Sequence, residues 1–148
     1  MPQVETAMGA IDVDDIGMCL MHEHIIIADW DMRQNYDDYV DIEKEVPKAV
    51  GSLNAAKERG VRTIVDLTPV NLGRDIRSII AVSKASGVNV ICPTGFYWTE
   101  EAWMHGWDAN HLSTYMIRDI TEGILDTDVK AAIIKCATDH TGVDEFNK

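Results

Sequence analysis

Residues 61–95, VRTIVDLTPVNLGRDIRSIIAVSKASGVNVICPTG, contain a strand, a helix and a second strand in direct succession. Val61 to Leu67 is a short apolar run with β-branched residues at its centre, which predicts a buried strand. Asp75 to Ser86 places isoleucines on one helical face and is followed by glycine, so it predicts a helix. Val88 to Cys92 is again short and apolar and predicts the next strand. Two strands joined through a helix run parallel to one another.

The same alternation continues in both directions from this unit. Gly17 to Ile27 predicts the first strand, and Glu43 to Arg59 predicts the helix that follows it, with Pro47 in the first turn, where proline is tolerated. A third helix is predicted from about Leu112 to Leu125, with apolar residues at a spacing of four, and a fourth strand from Ala131 to Ala137. A fourth helix is expected to begin near residue 148. The strands are continuously apolar, as expected when both faces of a parallel sheet are covered. The sequence therefore predicts an α/β fold.

The 148 residues are enough for one domain with a hydrophobic core. Residues 1–16 predict a small hairpin or cap, and residues 17–148 hold strands one to four with their helices. Residues 28–41 are polar and aromatic and predict an ordered loop. The long loop 96–110 carries aromatic side chains that suit a pocket, a dimer interface or packing on the rim of the fold.

Two parallel architectures fit this order of elements: a doubly wound sheet and a (β/α)8 barrel. The first strand-to-helix turn lacks the Gly-x-Gly-x-x-Gly pattern, and no Walker pattern occurs, which disfavours nucleotide-binding folds. The residues suited to chemistry fall at the carboxyl ends of strands one and four, where barrel enzymes build their sites. We therefore expect a TIM-type (β/α)8 barrel of which this chain holds about the first four βα units.

The composition excludes several classes of partner. Twenty-five acidic residues against 13 basic ones give a net charge of −12, which repels phosphate backbones and anionic lipids. No apolar run reaches the roughly 20 residues of a membrane helix, and residues 1–10 do not resemble a signal peptide. The three cysteines are widely spaced, without the pattern of a disulfide framework. We expect a cytoplasmic protein that binds neither nucleic acid nor membranes.

The first strand contains the stretch Leu20-Met-His-Glu-His-Ile-Ile-Ile27. Because side chains on a strand alternate faces, His22 and His24 are expected to point the same way and Glu23 the other. Two neutral imidazoles on one strand suit a divalent cation such as zinc. The alternative is that the pair is incidental.

Lys135 is the one polar side chain in the middle of the fourth strand. One interpretation is that its stem packs while its amine reaches water. The other is that desolvation lowers the pKa of the amine, which then captures carbon dioxide as a carbamate, an anionic oxygen ligand able to bridge two metal ions.

Five motifs in order and spacing resemble the phosphotriesterase family of the amidohydrolase superfamily, which includes the phosphotriesterase-like lactonases and the phosphotriesterase homology proteins. The resemblance covers the chain from Asp15 to about Asp139. The motifs are His22-Glu-His24, Thr63-Ile-Val-Asp-Leu-Thr68, Leu72-Gly-Arg-Asp75, Thr94-Gly-Phe-Tyr97 and Ile133-Ile-Lys-Cys-Ala-Thr138.

This resemblance implies a barrel with two divalent metal ions, zinc first among the candidates. It implies that His22 and His24 bind the more buried ion, that carbamylated Lys135 bridges the pair, and that Tyr97 lies near the bridging hydroxide and the substrate. The hydroxide would attack a lactone, a carboxylic ester or an organophosphorus ester, which makes a small ester or lactone the expected partner. The family's other ligands, two histidines and an aspartate on later strands, would lie beyond residue 148. We also expect a homodimer.

Two other hypotheses stay open at this point. A truncated half-barrel would be non-catalytic, binding metal weakly or self-associating through its exposed strand edges. A doubly wound domain without metal requires that Lys135 and the two histidines do not converge. Asp66 is suited to orient a ligand or to cap the next turn, and we expect the structural role. Arg74 and Asp75 are expected to pair locally and cap the second helix, and His105, His111 and His140 are expected at the surface.

Overall fold

A computed structural model describes residues 1–140, 142 and 143 of the chain. The chain begins with an antiparallel hairpin of β1 (Gln3–Thr6) and β2 (Gly9–Asp12). Just after β1, the amide of Ala7 donates to the carbonyl of Val90 at 2.8 Å. The side chain of Ala7 is buried in the main core, so this bond anchors the hairpin to the body of the fold.

Three parallel strands follow: β3 (Met18–Glu23), β4 (Val61–Asp66) and β5 (Asn89–Ile91), with β4 in the middle. Helices cross between successive strands, which is the connection that parallel pairing requires. The predicted α/β fold with a parallel sheet is therefore confirmed. The part of the chain that the structure describes does not close into a complete barrel.

The third strand is longer than predicted, because it continues beyond Cys92 as β6 (Pro93–Gly95) and pairs there with β7 (Ile133–Lys135). The amide of Ala132, just before β7, donates at 3.0 Å to the carbonyl of Cys92, just before β6. This bond extends the pairing of the two strands by one residue on each. Pro93 lacks only the amide donor, so it interrupts pairing on one side without ending the strand. It marks the point where pairing passes from β4 to β7.

The described residues form four α-helices besides these strands: α1 (Trp30–Asn35), α2 (Ile42–Lys57), α3 (Ile76–Ser86) and α4 (Ala109–Thr121). The first of them occupies a segment that the sequence predicted to be a loop. It forms because the carboxylate of Asp29 accepts from the amide of Met32 at 2.8 Å and caps the turn. Single 3₁₀ turns span Val13–Asp15, Val70–Leu72 and Ala102–Met104.

Two helices differ in detail from their predictions. Because α2 begins at Ile42, Pro47 lies in the second turn and not in the first. In α4 the apolar residues at a spacing of four do not form one buried face: Ile120 is exposed, and Asp119 is buried. A spacing of four residues advances roughly 40° around a helix at each step, so Ile120, the third member of the series, has turned about 80° away from Leu112. Ile124 is buried, but it lies beyond the helix end.

Two apolar clusters explain why the strands are hydrophobic on both faces. The larger one holds Ile64, Ile79 and Val90 and lies between strands and helices. The smaller one lies on the opposite side of the strands, with Val65 and Ile91 buried at its centre. Cys19 of β3 and Ile133 of β7 pack against that centre, so each parallel strand contributes one side chain to it. This second face is the inner wall of the partial barrel.

None of the helices in the described ranges is long and apolar enough to cross a membrane. The three cysteines are free thiols, and that of Cys92 is buried, which raises its pKa to about 12. The fourth helix that the sequence predicts to begin near residue 148 falls outside the described residues.

Candidate metal centre

His22 and His24 lie side by side at the carboxyl end of β3. The strand ends at Glu23, earlier than predicted, and its pairing with β4 is irregular between Leu20 and Glu23. The two imidazole rings meet edge to face, with 5.4 Å between their centroids. Both histidines are exposed residues, so a ligand can reach them from solvent.

Lys135 reaches the same place from the last residue of β7. Its Nζ lies 3.5 Å from Nε2 of His22, although 113 residues separate the two in sequence. The side chain is half-buried, between the two environments considered for it. The structure therefore brings together the three residues predicted from sequence to hold metal. The doubly wound alternative without metal required these residues to lie apart, and the structure places them together.

A glycine holds the strand beside Lys135 at close range. Gly95 pairs with Lys135 across the ladder, and the next amide, that of Phe96, donates to the carbonyl of Lys135 at 3.0 Å. Gly95 adopts a φ of +102°, and a Cβ atom there would collide with the Lys135 carbonyl. Only glycine combines this conformation with such an approach. The Thr-Gly-Phe-Tyr motif thus sets the position of the lysine backbone.

His24 is held by the turn that follows β4. Its Nδ1 lies 2.9 Å from Oγ1 of Thr68. Partial burial lowers the pKa of His24, and the charges of His22 and Lys135 lower it further, against the opposing charges of Asp66 and Glu23. The ring is therefore neutral at neutral pH, which is the form that binds metal ions.

Asp66 lies buried beneath this turn, at the end of β4. One carboxylate oxygen accepts from the amide of Thr68 at 2.8 Å, and the other accepts from the amide of Ile25 at 3.2 Å. Burial raises the pKa of Asp66, while the hydrogen bonds from Thr68 and Ile25 and the nearby His24 oppose that rise. Asp66 thus caps the turn, as one of the sequence interpretations had it, and also fixes the chain just beyond His24.

The side chain of Tyr97 is bonded to Asp139 and not to the two histidines or Lys135. Its hydroxyl donates to Asp139 at 3.3 Å, four residues beyond Lys135, and its amide is bonded to the side chain of Asn71. Asp139 also accepts from the amide of His140 at 2.6 Å, and the hydrogen bonds from His140 lower the pKa of this carboxyl. The role of Tyr97 near the substrate stays a prediction. His140 is exposed, as expected from the sequence.

The donor set suits zinc but is not a complete shell. Within the described part of the chain, no group of three or more His, Cys, Asp or Glu side chains is placed to hold a metal ion. The third member here is a lysine, which offers an anionic oxygen only after it has become a carbamate. Zinc usually takes about four ligands. His22, His24 and Lys135 fit one side of such a site.

An aromatic cleft lies apart from these residues. It has a volume of about 400 Å³ and is lined by α3, α4 and the long loop, and its aromatic walls are Trp30, Phe96, Trp103, Trp107 and Tyr115. The stacked rings of Trp107 and Tyr115 lie 5.3 Å apart. Three arginines, Arg74, Arg77 and Arg118, also line it. The long loop thus lines a pocket, which was one of the interpretations weighed for it.

Beside this cleft, the expected local pair between Arg74 and Asp75 is wrong. Arg74 instead donates to the buried carboxylate of Asp119 at 2.7 Å, and Asp75 pairs with Arg33 at 3.0 Å. Asp75 also caps α3 through its bond to the amide of Ser78. Adjacent side chains diverge at the start of a helix, so each finds a partner on another element.

Comparison with known proteins gives the family. The family model described as "Phosphotriesterase family" matches residues 2–148. The chain belongs to the phosphotriesterase family. A solved structure, "Structure of the phosphotriesterase from Mycobacterium tuberculosis", superimposes with a TM-score of 0.87 at 42% identity, over 96% of this chain and 47% of that one.

Two curated relatives are named for different activities. An aryldialkylphosphatase of Saccharolobus solfataricus is 35% identical over 90% of this chain and 43% of its own length. A phospho-furanose lactonase of Mycoplasmopsis agalactiae is 24% identical over 97% of this chain and 45% of its own length. The chain therefore spans less than half the length of these relatives. It is similar over that span to enzymes named as hydrolases.

Sequence reasoning missed two contributors to this end of the fold. Thr68 touches His24 from 44 residues away, and its only sequence signal is its position after a strand. Asp119 was not singled out from the sequence, because nothing local distinguishes a buried acid from an exposed one.

Proposed function

We propose that this chain forms part of a metal-dependent hydrolase that cleaves lactones, carboxylic esters or organophosphorus esters. The convergence of His22, His24 and Lys135 at the carboxyl end of the strands carries this proposal. Family membership supports hydrolysis, and the names of the relatives support both phosphorus esters and lactones as substrate classes. A small uncharged ester suits a chain whose net charge of −12 repels anions.

Each of the three residues has a separate task in this proposal. His22 and His24 supply neutral imidazole nitrogens. Nζ of Lys135 forms a bond to the carbon of carbon dioxide and loses a proton, which leaves an anionic carbamate oxygen beside the imidazoles. Two divalent ions, zinc in the first instance, supply Lewis acidity that activates both water and the bond to be hydrolysed. Tyr97, anchored to Asp139, borders the space in which the substrate lies.

Hydrolysis assays with and without zinc and bicarbonate test this function. The substrates are a small lactone, an aryl carboxylic ester and an aryl dialkyl phosphate. We expect zinc-dependent hydrolysis of at least one class, lost in Lys135→Met, which removes the amine at nearly constant length. Lys84→Met is the matched control, because Lys84 is exposed on α3. Hydrolysis that survives Lys135→Met would contradict the assignment.

A second candidate is a metal-binding half-barrel without catalytic activity. The incomplete donor set among the described residues favours it, because two imidazoles and one lysine leave part of a zinc shell unfilled. The same assays separate the two candidates when bound zinc is measured in parallel. Zinc retained without hydrolysis of any substrate class identifies the second candidate.

We also propose that the protein acts in the cytoplasm as a homodimer, with the aromatic cleft at the interface. Trp103 is 47% exposed and Trp30 is 39% exposed beside the cleft, and an exposed aromatic patch of this kind is typical of interfaces. Sedimentation equilibrium should give twice the chain mass, and Trp103→Ser should shift the equilibrium toward monomer. Met8→Ser, an exposed apolar residue on the hairpin, is the control. A monomer at all concentrations would contradict this proposal.

A further inference from the structure

A buried ion pair is bonded to the first two residues of β6. Nη1 of Arg74 donates to Oδ2 of Asp119 at 2.7 Å and to the backbone carbonyl of Pro93 at 2.8 Å. The hydroxyl of Thr94 donates to the same carboxylate oxygen at 2.8 Å. Thr94 is 1% exposed, and the side chains of Arg74 and Asp119 are 10% and 6% exposed. These bonds form a closed, buried network that includes the backbone of β6.

The last residue of the same strand contacts Lys135. Gly95 follows Thr94 and pairs with Lys135 in the ladder, and the amide of Phe96 donates to the Lys135 carbonyl at 3.0 Å. Gly95 approaches this carbonyl so closely that a Cβ atom would collide with it. Because packed interiors transmit displacements, a shift of Thr94 moves Gly95, and Gly95 moves the lysine backbone. The network therefore acts on Lys135 through one strand of three residues.

The network also joins β6 to two other elements. Arg74 lies just before α3, and Asp119 lies near the end of α4. Thr94 and Arg74 both donate to a carboxylate, and charge-assisted bonds of this kind are roughly twice as strong as neutral ones. A displacement of β6 would leave the buried hydroxyl of Thr94 without its acceptor, which is costly in the interior of a protein.

We propose that Arg74, Asp119 and Thr94 are positioning residues that hold β6 where it places Lys135 beside the two histidines. None of the three is part of the metal site. Nζ of Lys135 lies 3.5 Å from Nε2 of His22, and a binding site needs its groups held to within about 0.5 Å. The positioning is a property of the metal-free chain. Its consequence for metal affinity rests on the proposed function.

Hydrogen exchange of the metal-free chain, followed by NMR at single amides, tests the positioning directly. The amide of Phe96 bonds Lys135, and the amide of Leu67 makes a matched bond on the other side of the site, to the carbonyl of Glu23 at 2.8 Å. In Thr94→Val, we expect Phe96 to exchange about tenfold faster relative to Leu67, because a charge-assisted hydrogen bond is lost. Thr94→Ser keeps the hydroxyl and should keep the wild-type ratio.

Ser83→Ala is the matched control for the loss of a buried hydroxyl. The hydroxyl of Ser83, on α3, donates at 2.8 Å to the carbonyl of Val88, which precedes β5. A purely structural loss speeds exchange at both reporter amides alike, so the ratio should stay constant in this variant. Asp119→Asn keeps the shape of the side chain and removes its charge. It should change the ratio in the same direction as Thr94→Val, and it decides if that variant does not fold.

Zinc affinity of the same variants measures the consequence for the metal site. We expect about tenfold weaker binding in Thr94→Val, the lower end of what outer partners of metal ligands contribute, and no change in Ser83→Ala. An unchanged ratio of Phe96 to Leu67 exchange in Thr94→Val would overturn the proposal. An equal change in Ser83→Ala, or undiminished zinc affinity in Thr94→Val, would overturn it as well. A changed ratio in a chain that binds no zinc supports the positioning and contradicts the proposed function, so the two failures are distinguishable.

Discussion

Zinc binding should weaken by roughly 100-fold when His24 is replaced by alanine. A four-ligand zinc site is worth about 10–16 kcal/mol in total, so one ligand accounts for about 3 kcal/mol, or two orders of magnitude in affinity. His24 is one of two imidazoles at this site, and its lowered pKa means that little proton competition obscures the loss at neutral pH. Competition against a chromophoric chelator measures the change.

The matched control for this substitution is His105→Ala. His105 is also an exposed histidine, but it lies in the long loop before α4 and outside the group formed by His22 and Lys135. Its removal should leave zinc affinity unchanged. Equal losses in the two variants would show that zinc binds at scattered surface histidines and not between β3 and β7.

The second large effect concerns stability. Asp119→Ala should lower the free energy of unfolding by about 3–5 kcal/mol, the typical cost of removing one partner from a buried ion pair. The side chains of Arg74 and Asp119 are 10% and 6% exposed, so the guanidinium would stay buried without its counter-charge. The hydroxyl of Thr94, which donates to the same carboxylate at 2.8 Å, would lose its acceptor as well.

Urea unfolding of the wild type and the variants measures this difference. Asp126→Ala is the control, since Asp126 forms an ion pair with Arg77 in which both side chains are well exposed. Water screens such a pair, so we expect no measurable change in stability. A stability loss in Asp119→Ala no larger than in the control would show that the network around Arg74 contributes nothing to the fold.

Much of the fold could be predicted because its signals are local. The strands are short apolar runs between turn residues, and the cap of α3 and its terminating glycine follow from single residues. The predictions were wrong where one local sequence signal is compatible with two structures. Pro93 normally ends a strand, yet here it divides one between two neighbours. The helix α1 depends on a cap by Asp29 within a polar segment that resembles a loop.

The site residues divide in the same way, into those with a local sequence signal and those without one. His22, His24 and Lys135 were found from the alternation of a strand and from an unusual lysine in an apolar run. The bond from Thr68 to His24 and the pair of Arg74 with Asp119 span 44 and 45 residues. Neither contact produces a periodic pattern in the sequence, because each depends on which elements the sheet order brings together. Such contacts become visible only once the strands are placed.

Anomalous scattering at the zinc absorption edge, recorded from crystals grown with zinc and bicarbonate, locates the metal directly. We predict zinc between the rings of His22 and His24, with continuous density from Nζ of Lys135 to a carbamate. Zinc found only elsewhere, for instance at the exposed pair of Asp139 and His140, would contradict the assignment of this end of the sheet as a metal centre.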